Sequence, residues 1–369
     1  MPMEKSIKSD SMRKAQVPVS CHVCNGPGAK RKCEELDVFM CRACKEKVHG
    51  KLKCSQGHEV ATINDTQDTL VDSNEVPSEI INSVLNSYTT SVPTVSYLAC
   101  SSDDIVYILY NVKLTECVFI KGKILKPSFK VLKSYPLPMF NFTLNMNDEV
   151  MFTNISYEKE SPLRMISYSD EIRTVMDPNP MQITALHVNI YNELVIGLRE
   201  QGPAFPVSEL SVRRITIFGS DYQRQTNLEK DTKGRKMFTY PSFIRTDSEN
   251  VLYVADMDTL DFTGRLLAVN RTERLKFSYR GPPSLGVFCP HSFAITPIDN
   301  IVLLDNLNNA LHVLNPNGIL LALQSLVKLN IVIASALCID NERHLLIGCR
   351  GVDGQFGKIY VVKIADRFM

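Results

Sequence analysis

Between Cys21 and His58 the chain concentrates residue types that bind metal. Their spacing is Cys21-x2-Cys24-x8-Cys33-x7-Cys41-x2-Cys44-x4-His49-x8-His58. Thiolates and imidazoles in this density suit Zn²⁺, which takes four tetrahedral ligands. A CxxC turn presents two thiolates to one ion, so Cys21, Cys24, Cys41 and Cys44 make one complete set. Cys33, His49 and His58 are left over, interleaved with the first set, and imply a second ion. Asp37 is the best fourth ligand for it, with Cys54 as an alternative to one histidine. Neither set leaves a coordination position open, so both zinc ions are expected to be structural. Six of the eleven cysteines lie before residue 55, and the CxxC pairs point to metal in a reducing compartment rather than to disulfides. The other five, Cys100, Cys117, Cys289, Cys338 and Cys349, sit in apolar runs as small hydrophobes.

The elements that carry these residues change along the chain. Residues 1–15 are polar and read as disordered, and 16–60 as the zinc module. Residues 61–95 read as an acidic linker broken by Pro77 and Pro93. Within it Ser78 could cap a short helix that puts Ile81, Val84, Leu85 and Tyr88 on one side. From residue 96 to 369 the texture is short apolar strands and Asp/Asn-rich turns. Taking Asp104, Glu149, Glu193, Asn250, Asn300 and His344 as equivalent points gives intervals of 45, 44, 57, 50 and 44. A repeat of 40–50 residues with several strands predicts a β-propeller, here of six blades. The strand around Tyr97–Ala99 is expected to close the ring against the last strand, around Lys358–Ile364. The apolar stretch from Ile319 to Ile339 holds Gln324, Lys328 and Asn330 and reads as two strands around a turn, not a membrane span.

Two resemblances rest on these residues. The Cys/His spacing resembles the B-box zinc finger, which binds two ions in cross-brace fashion. That family places its acidic ligand three residues after the third cysteine, where this chain has Leu36, one residue before Asp37. The segment Phe288 to Leu323, with its strand ending in Asp305 and its Asn-Pro-Asn-Gly turn, resembles an NHL-type repeat. A zinc module, a linker and an NHL-like propeller together resemble RING-less members of the tripartite-motif (TRIM) family. The resemblance implies a non-catalytic, cytoplasmic adaptor that binds other proteins. The family also implies two alternatives, a role in ubiquitination and RNA binding through the propeller. Residues 1–20 hold no Cys or His for a RING finger, so ligase activity in isolation is not expected.

Charge adds one candidate surface. The net charge of +1 gives no overall attraction to nucleic acid or to an acidic membrane. Residues 212–237, read as an insertion in the third unit, carry a local +4. Arg213, Arg214, Lys233, Arg235 and Lys236 form a candidate basic rim for RNA phosphates or an acidic partner, against a solvated loop as the plainer reading. His187, His291, His312 and His344 are spaced apart and read as strand or turn residues with local partners, so no catalytic residue is assigned. No coiled-coil heptads appear, and the sequence leaves the oligomeric state open.

Overall fold

The structure, a computed structural model, describes residues 31–33, 38–40, 60–62, 79–112, 116–126, 128–154 and 162–369. The chain divides into two units, Met1–Glu75 and Val76–Met369. In the first unit β1 (Arg31–Cys33), β2 (Val38–Met40) and β3 (Val60–Thr62) form an antiparallel sheet with β1 in the middle.

The second unit is a six-bladed β-propeller, six four-stranded antiparallel sheets in sequence order. A further strand, β4 (Ile81–Thr89), precedes the first full blade. Blade one holds β5 (Tyr97–Cys100), β6 (Ile105–Tyr110), β7 (Val118–Leu125) and β8 (Ser128–Tyr135). Blade two holds β9 (Met139–Leu144), β10 (Val150–Asn154), β11 (Leu163–Ile166) and β12 (Ile172–Met176). Blade three follows with β13 (Met181–Val188), β14 (Leu194–Glu200), β15 (Arg213–Phe218) and β16 (Arg224–Leu228). Blade four holds β17 (Pro241–Thr246), β18 (Leu252–Met257), β19 (Gly264–Val269) and β20 (Leu275–Tyr279). Blade five holds β21 (Pro290–Ile295), β22 (Ile301–Asp305), β23 (Ala310–Leu314) and β24 (Leu320–Ser325). Blade six has β25 (Ala334–Ile339), β26 (Leu345–Cys349) and β27 (Lys358–Ile364), and takes β4 as its outer strand.

Both faces of each blade are covered by neighbouring blades, so the middle strands read as continuous apolar runs rather than alternating ones. β18, β22, β23 and β26 are buried along their whole length. The buried side chains fall into six clusters, one between each adjacent pair of blades. Outer strands such as β8, which reads SFKVLKSY, meet water and are largely exposed.

The turns joining the first and second strands of each blade account for the period seen in the sequence. Asp104, Asp148, Asn192, Asn250, Asp299 and Arg343 take positive φ there. Asn and Asp tolerate that region because their short polar side chains bond locally. Several of these turns also latch onto the neighbouring one. Asp148 accepts the Ser102 N–H at 3.2 Å, Asn192 the Met146 N–H at 3.3 Å, and Asp299 the Ser248 N–H at 3.0 Å. In blades four and five an aspartate stands at or next to the end of the second strand. Asp256 accepts the N–H groups of Thr239 and Tyr240, each at 2.8 Å, and pairs with Arg265 at 2.9 Å. Asp305 accepts the Cys289 N–H at 3.2 Å. Each carboxylate thereby fixes the loop entering its own blade.

Three expectations change. Residues 81–89 are a strand, not a helix, and belong to the propeller rather than to a linker ending at 95. The ring is closed by β4 against β27, while Tyr97–Ala99 lies in the innermost strand of blade one. Residues 212–237 are no insertion, since they contain the third and fourth strands of blade three. The propeller half of the expected fold stands, and the zinc-bound B-box half is corrected. Among the described residues no group of three or more His, Cys, Asp or Glu is placed to hold a metal ion. The expected ligands Cys21, Cys24, Asp37, Cys41, Cys44, His49 and His58 lie outside the described residues. Cys33 ends β1, where its backbone pairs with Val38 and Val60.

The strand and helix readings of residues 81–89 differ in which side chains they bury. In the strand Ile81 is 5% exposed and Leu85 41% exposed. Ile81→Ala should therefore cost about 2–4 kcal/mol in urea unfolding. Leu85→Ala should cost well under about 1 kcal/mol, because a side chain this exposed contributes little burial. Equal losses would restore the helical face.

Candidate functional site

The first strand of every blade, β5, β9, β13, β17, β21 and β25, faces the propeller axis, and each contacts the next around the ring. Where these strands run toward the turns described above, they enclose a cavity of about 310 Å³. Its lining mixes apolar residues, Phe142, Leu144, Phe293, Ile295 and Leu337 among them, with polar ones. Set into that wall are Tyr97, Cys100, Thr143, His187, Arg245, Thr246 and Cys338. No Asp or Glu lines it.

Arg245 sits at the second-last position of β17, which places it at the axis. Its Nη1 donates to the carbonyl of Ile244 at 2.8 Å, and its guanidinium lies 4.2 Å from the centre of the Phe243 ring. It makes no ion pair among the described residues. Burial pulls its pKa down to about 10, because desolvation penalises the charged form, and Cys338 and Tyr97 oppose that fall. Tyr97 is pushed the other way by the same burial and keeps its proton.

His187 ends the neighbouring inner strand but one residue. The Thr246 N–H donates to its Nε2 at 3.2 Å, and the Thr246 hydroxyl lies 2.9 Å from the same nitrogen. The imidazole is thus neutral with its proton on Nδ1. Burial, helped by the Arg245 charge, holds its pKa well below the usual value.

The cavity opens among the six turns, which read SSDD, NMNDE, NIYNE, DSEN, TPIDN and DNERH. Together they carry ten carboxylates against Arg343 and His344. Some are engaged, as Glu193 is with Arg271 at 2.9 Å, but Asp103 and Glu249 are exposed. A cationic residue in the axial cavity therefore lies behind an acidic mouth.

The residues singled out by their charge lie elsewhere, in blade three. Arg213 is 1% exposed, with Nη1 on Glu200 at 2.8 Å and Nη2 on the Ala204 carbonyl at 2.7 Å. Arg214, its neighbour in the strand, is partly buried. Arg235 pairs with Asp231 at 2.7 Å, and Lys233 donates its backbone N–H to the same carboxylate. The Lys236 ammonium is taken up by the carbonyls of Ser208, Glu209 and Ser211. Burial of Arg213 takes it out of any exposed rim. The four histidines do have local partners: Thr246 for His187, the Phe262 ring for His291, Tyr279 and Asp305 for His312, and Asp340 and Glu342 for His344. Arg245 was not singled out from sequence. The available signal was a lone arginine in the apolar first strand of a repeat.

Neither a protein-family model nor a curated protein matches this sequence. Solved structures do resemble it. The PQQ-bound aldose sugar dehydrogenase of Streptomyces coelicolor aligns at 10% identity, covering 77% of this chain and 97% of its own, with a TM-score of 0.54. The calcium-binding protein regucalcin of Agrobacterium tumefaciens aligns at 10% identity over 80% and 98%, with a TM-score of 0.53. A putative gluconolactonase aligns at 12% identity over 78% and 96%, with a TM-score of 0.50. At these identities the likeness establishes the propeller fold alone. With no metal cluster among the described residues and no family model matching the chain, the zinc-binding TRIM-type adaptor, together with its ubiquitination and RNA-binding alternatives, is corrected. No helix of the described residues is long and apolar enough to cross a membrane.

The neutral His187 gives a pH dependence with a definite sign. The unfolded chain takes up a proton near pH 6.5, which the folded site refuses. Its contribution is complete above about pH 6.5 and is lost as pH falls below that value, by at most about 1.4 kcal/mol per pH unit. Urea unfolding from pH 7 to pH 5 should show this loss, and His187→Gln should shrink it. An identical slope in the variant would mean that His187 is protonated in the fold.

Proposed function

We propose that the propeller is a binding protein whose channel seats the anionic group of a small ligand that also carries positive charge. The observation that carries this reading is Arg245, a guanidinium lining the axial cavity without a carboxylate partner. Leaving such a charge unpaired is costly, and an incoming carboxylate or phosphate offsets that cost with charge-assisted bonds. The cavity volume is near the lower end for small-molecule sites. The acidic turns add selectivity, since a purely anionic molecule is repelled at the mouth while a cationic end is held there.

The same geometry favours binding over catalysis. The basic lone pair of His187 is occupied by the Thr246 N–H, so it is not free to take a substrate proton. Tyr97 is held protonated by burial, which removes a further base.

Three matched probes separate the charges: 6-aminohexanoate, hexanoate and hexylamine, each titrated into the full chain by calorimetry. The reading expects 6-aminohexanoate to bind best, hexanoate more weakly and hexylamine not measurably. Arg245→Gln should weaken 6-aminohexanoate at least about tenfold, equivalent to about 1.4 kcal/mol. Absence of saturable binding at millimolar concentration, or equal affinity in the variant, would overturn the proposal.

A further inference from the structure

Two sulfurs meet in the wall of the channel. Sγ of Cys100, at the end of β5, lies 3.5 Å from Sγ of Cys338 in β25, although the residues are 238 apart in sequence. β5 belongs to blade one and β25 to blade six, so the contact sits on the seam where the ring closes. Both thiols are free and partly exposed, whereas Cys117, Cys289 and Cys349 are buried. Both line the axial cavity, and Cys100 also lines a second cleft of about 140 Å³ with residues of blades one and six. A small oxidant therefore has a path to the pair.

We propose that Cys100 and Cys338 form a reversible disulfide that staples blade one to blade six, with a peroxide as the oxidant. Burial and its bond to Cys100 keep the Cys338 thiol protonated, and Cys100 lines both the axial cavity and the second cleft, so the first oxidation falls on Cys100. The Cys100 thiolate attacks one oxygen of hydrogen peroxide. The O–O bond breaks, hydroxide leaves and is protonated to water, and Cys100 becomes a sulfenic acid. The Cys338 sulfur then attacks the Cys100 sulfur. The S–O bond breaks, and the hydroxide leaves as a second water with the thiol proton. Two thiols thus give up two electrons and two protons, and one peroxide becomes two waters. A dithiol reductant reverses the step by thiol–disulfide exchange.

The geometry asks little of the fold. The sulfurs must close from 3.5 Å to about 2.05 Å, a movement that two adjacent inner strands can share. The bond would close a loop of most of the propeller, the situation in which a cross-link restricts the unfolded chain most. It would also add a covalent tie to a ring otherwise closed by the backbone bonds of β4 and β27.

The test treats the full chain with hydrogen peroxide and maps it by mass spectrometry without reduction. Trypsin places Cys338 in residues 329–343 and Cys100 in residues 54–113, which also hold Cys54. The expected product is a cross-link between these peptides, with fragment ions assigning the bridge to Cys100. It should disappear with dithiothreitol and raise the Tm by several degrees over the reduced protein. Cys100→Ser should lose both the link and the Tm gain, Cys338→Ala should do the same, and Cys349→Ser should keep both. The inference is overturned if Cys338 stays fully alkylatable after peroxide, or if Cys100 advances to sulfinic acid without a link. It is also overturned if the Tm gain persists in folded Cys100→Ser and Cys338→Ala proteins.

Discussion

The antiparallel pairing of β4 with β27 joins the two ends of a propeller that would otherwise form an open arc. It runs from Thr89 opposite Lys358 to Ile81 opposite Ile364. The buried Gln324 of blade five fixes its start by accepting the N–H groups of Ile80 and Ile81 at 2.8 and 2.7 Å. Without closure, the cluster formed by Tyr88, Leu98, Ile108, Leu346 and Ile359 at the seam would face water. Each blade buries its faces only against its neighbours, so an open seam costs two faces at once. The width of the channel, and everything set into it, follows from that closure.

Within the closed ring the inner strands are crowded, and most of their residues are apolar. Arg245 is the departure from that pattern. Its carbonyl and ring contacts satisfy part of the guanidinium, but no carboxylate balances its charge. Two other arginines that are buried or half-buried do have a carboxylate: Arg213 has Glu200, and Arg265 has Asp256. Arg245 differs in lining the axial cavity, which is where the proposed ligand would meet it. Its neighbours His187 and Thr246 are locked to each other, which presets the wall rather than leaving it to rearrange on binding.

Much of the blade architecture was legible in the sequence because the turns demand particular residues. Asp or Asn at positive φ recurs at the first turn of five of the six blades, and the interval between these polar turns set the blade count. Closure was not legible, because Ile81, Val84, Leu85 and Tyr88 satisfy a helical spacing, and only pairing with a strand some 270 residues away makes this segment extended. The basic stretch in blade three misled for a related reason. Charge counted along a sequence ignores the alternation of a strand, which turns Arg213 inward to Glu200. Arg245 and the Cys100–Cys338 contact depend on which strands line the axis, a property of the assembled ring.

A crystal structure of the chain with 6-aminohexanoate would test the central claim most directly. The account predicts its carboxylate about 2.7–3.2 Å from the Arg245 guanidinium, with the ammonium directed at the acidic turns. A ligand bound only outside the channel, or seated with its ammonium at the Arg245 end, would contradict it.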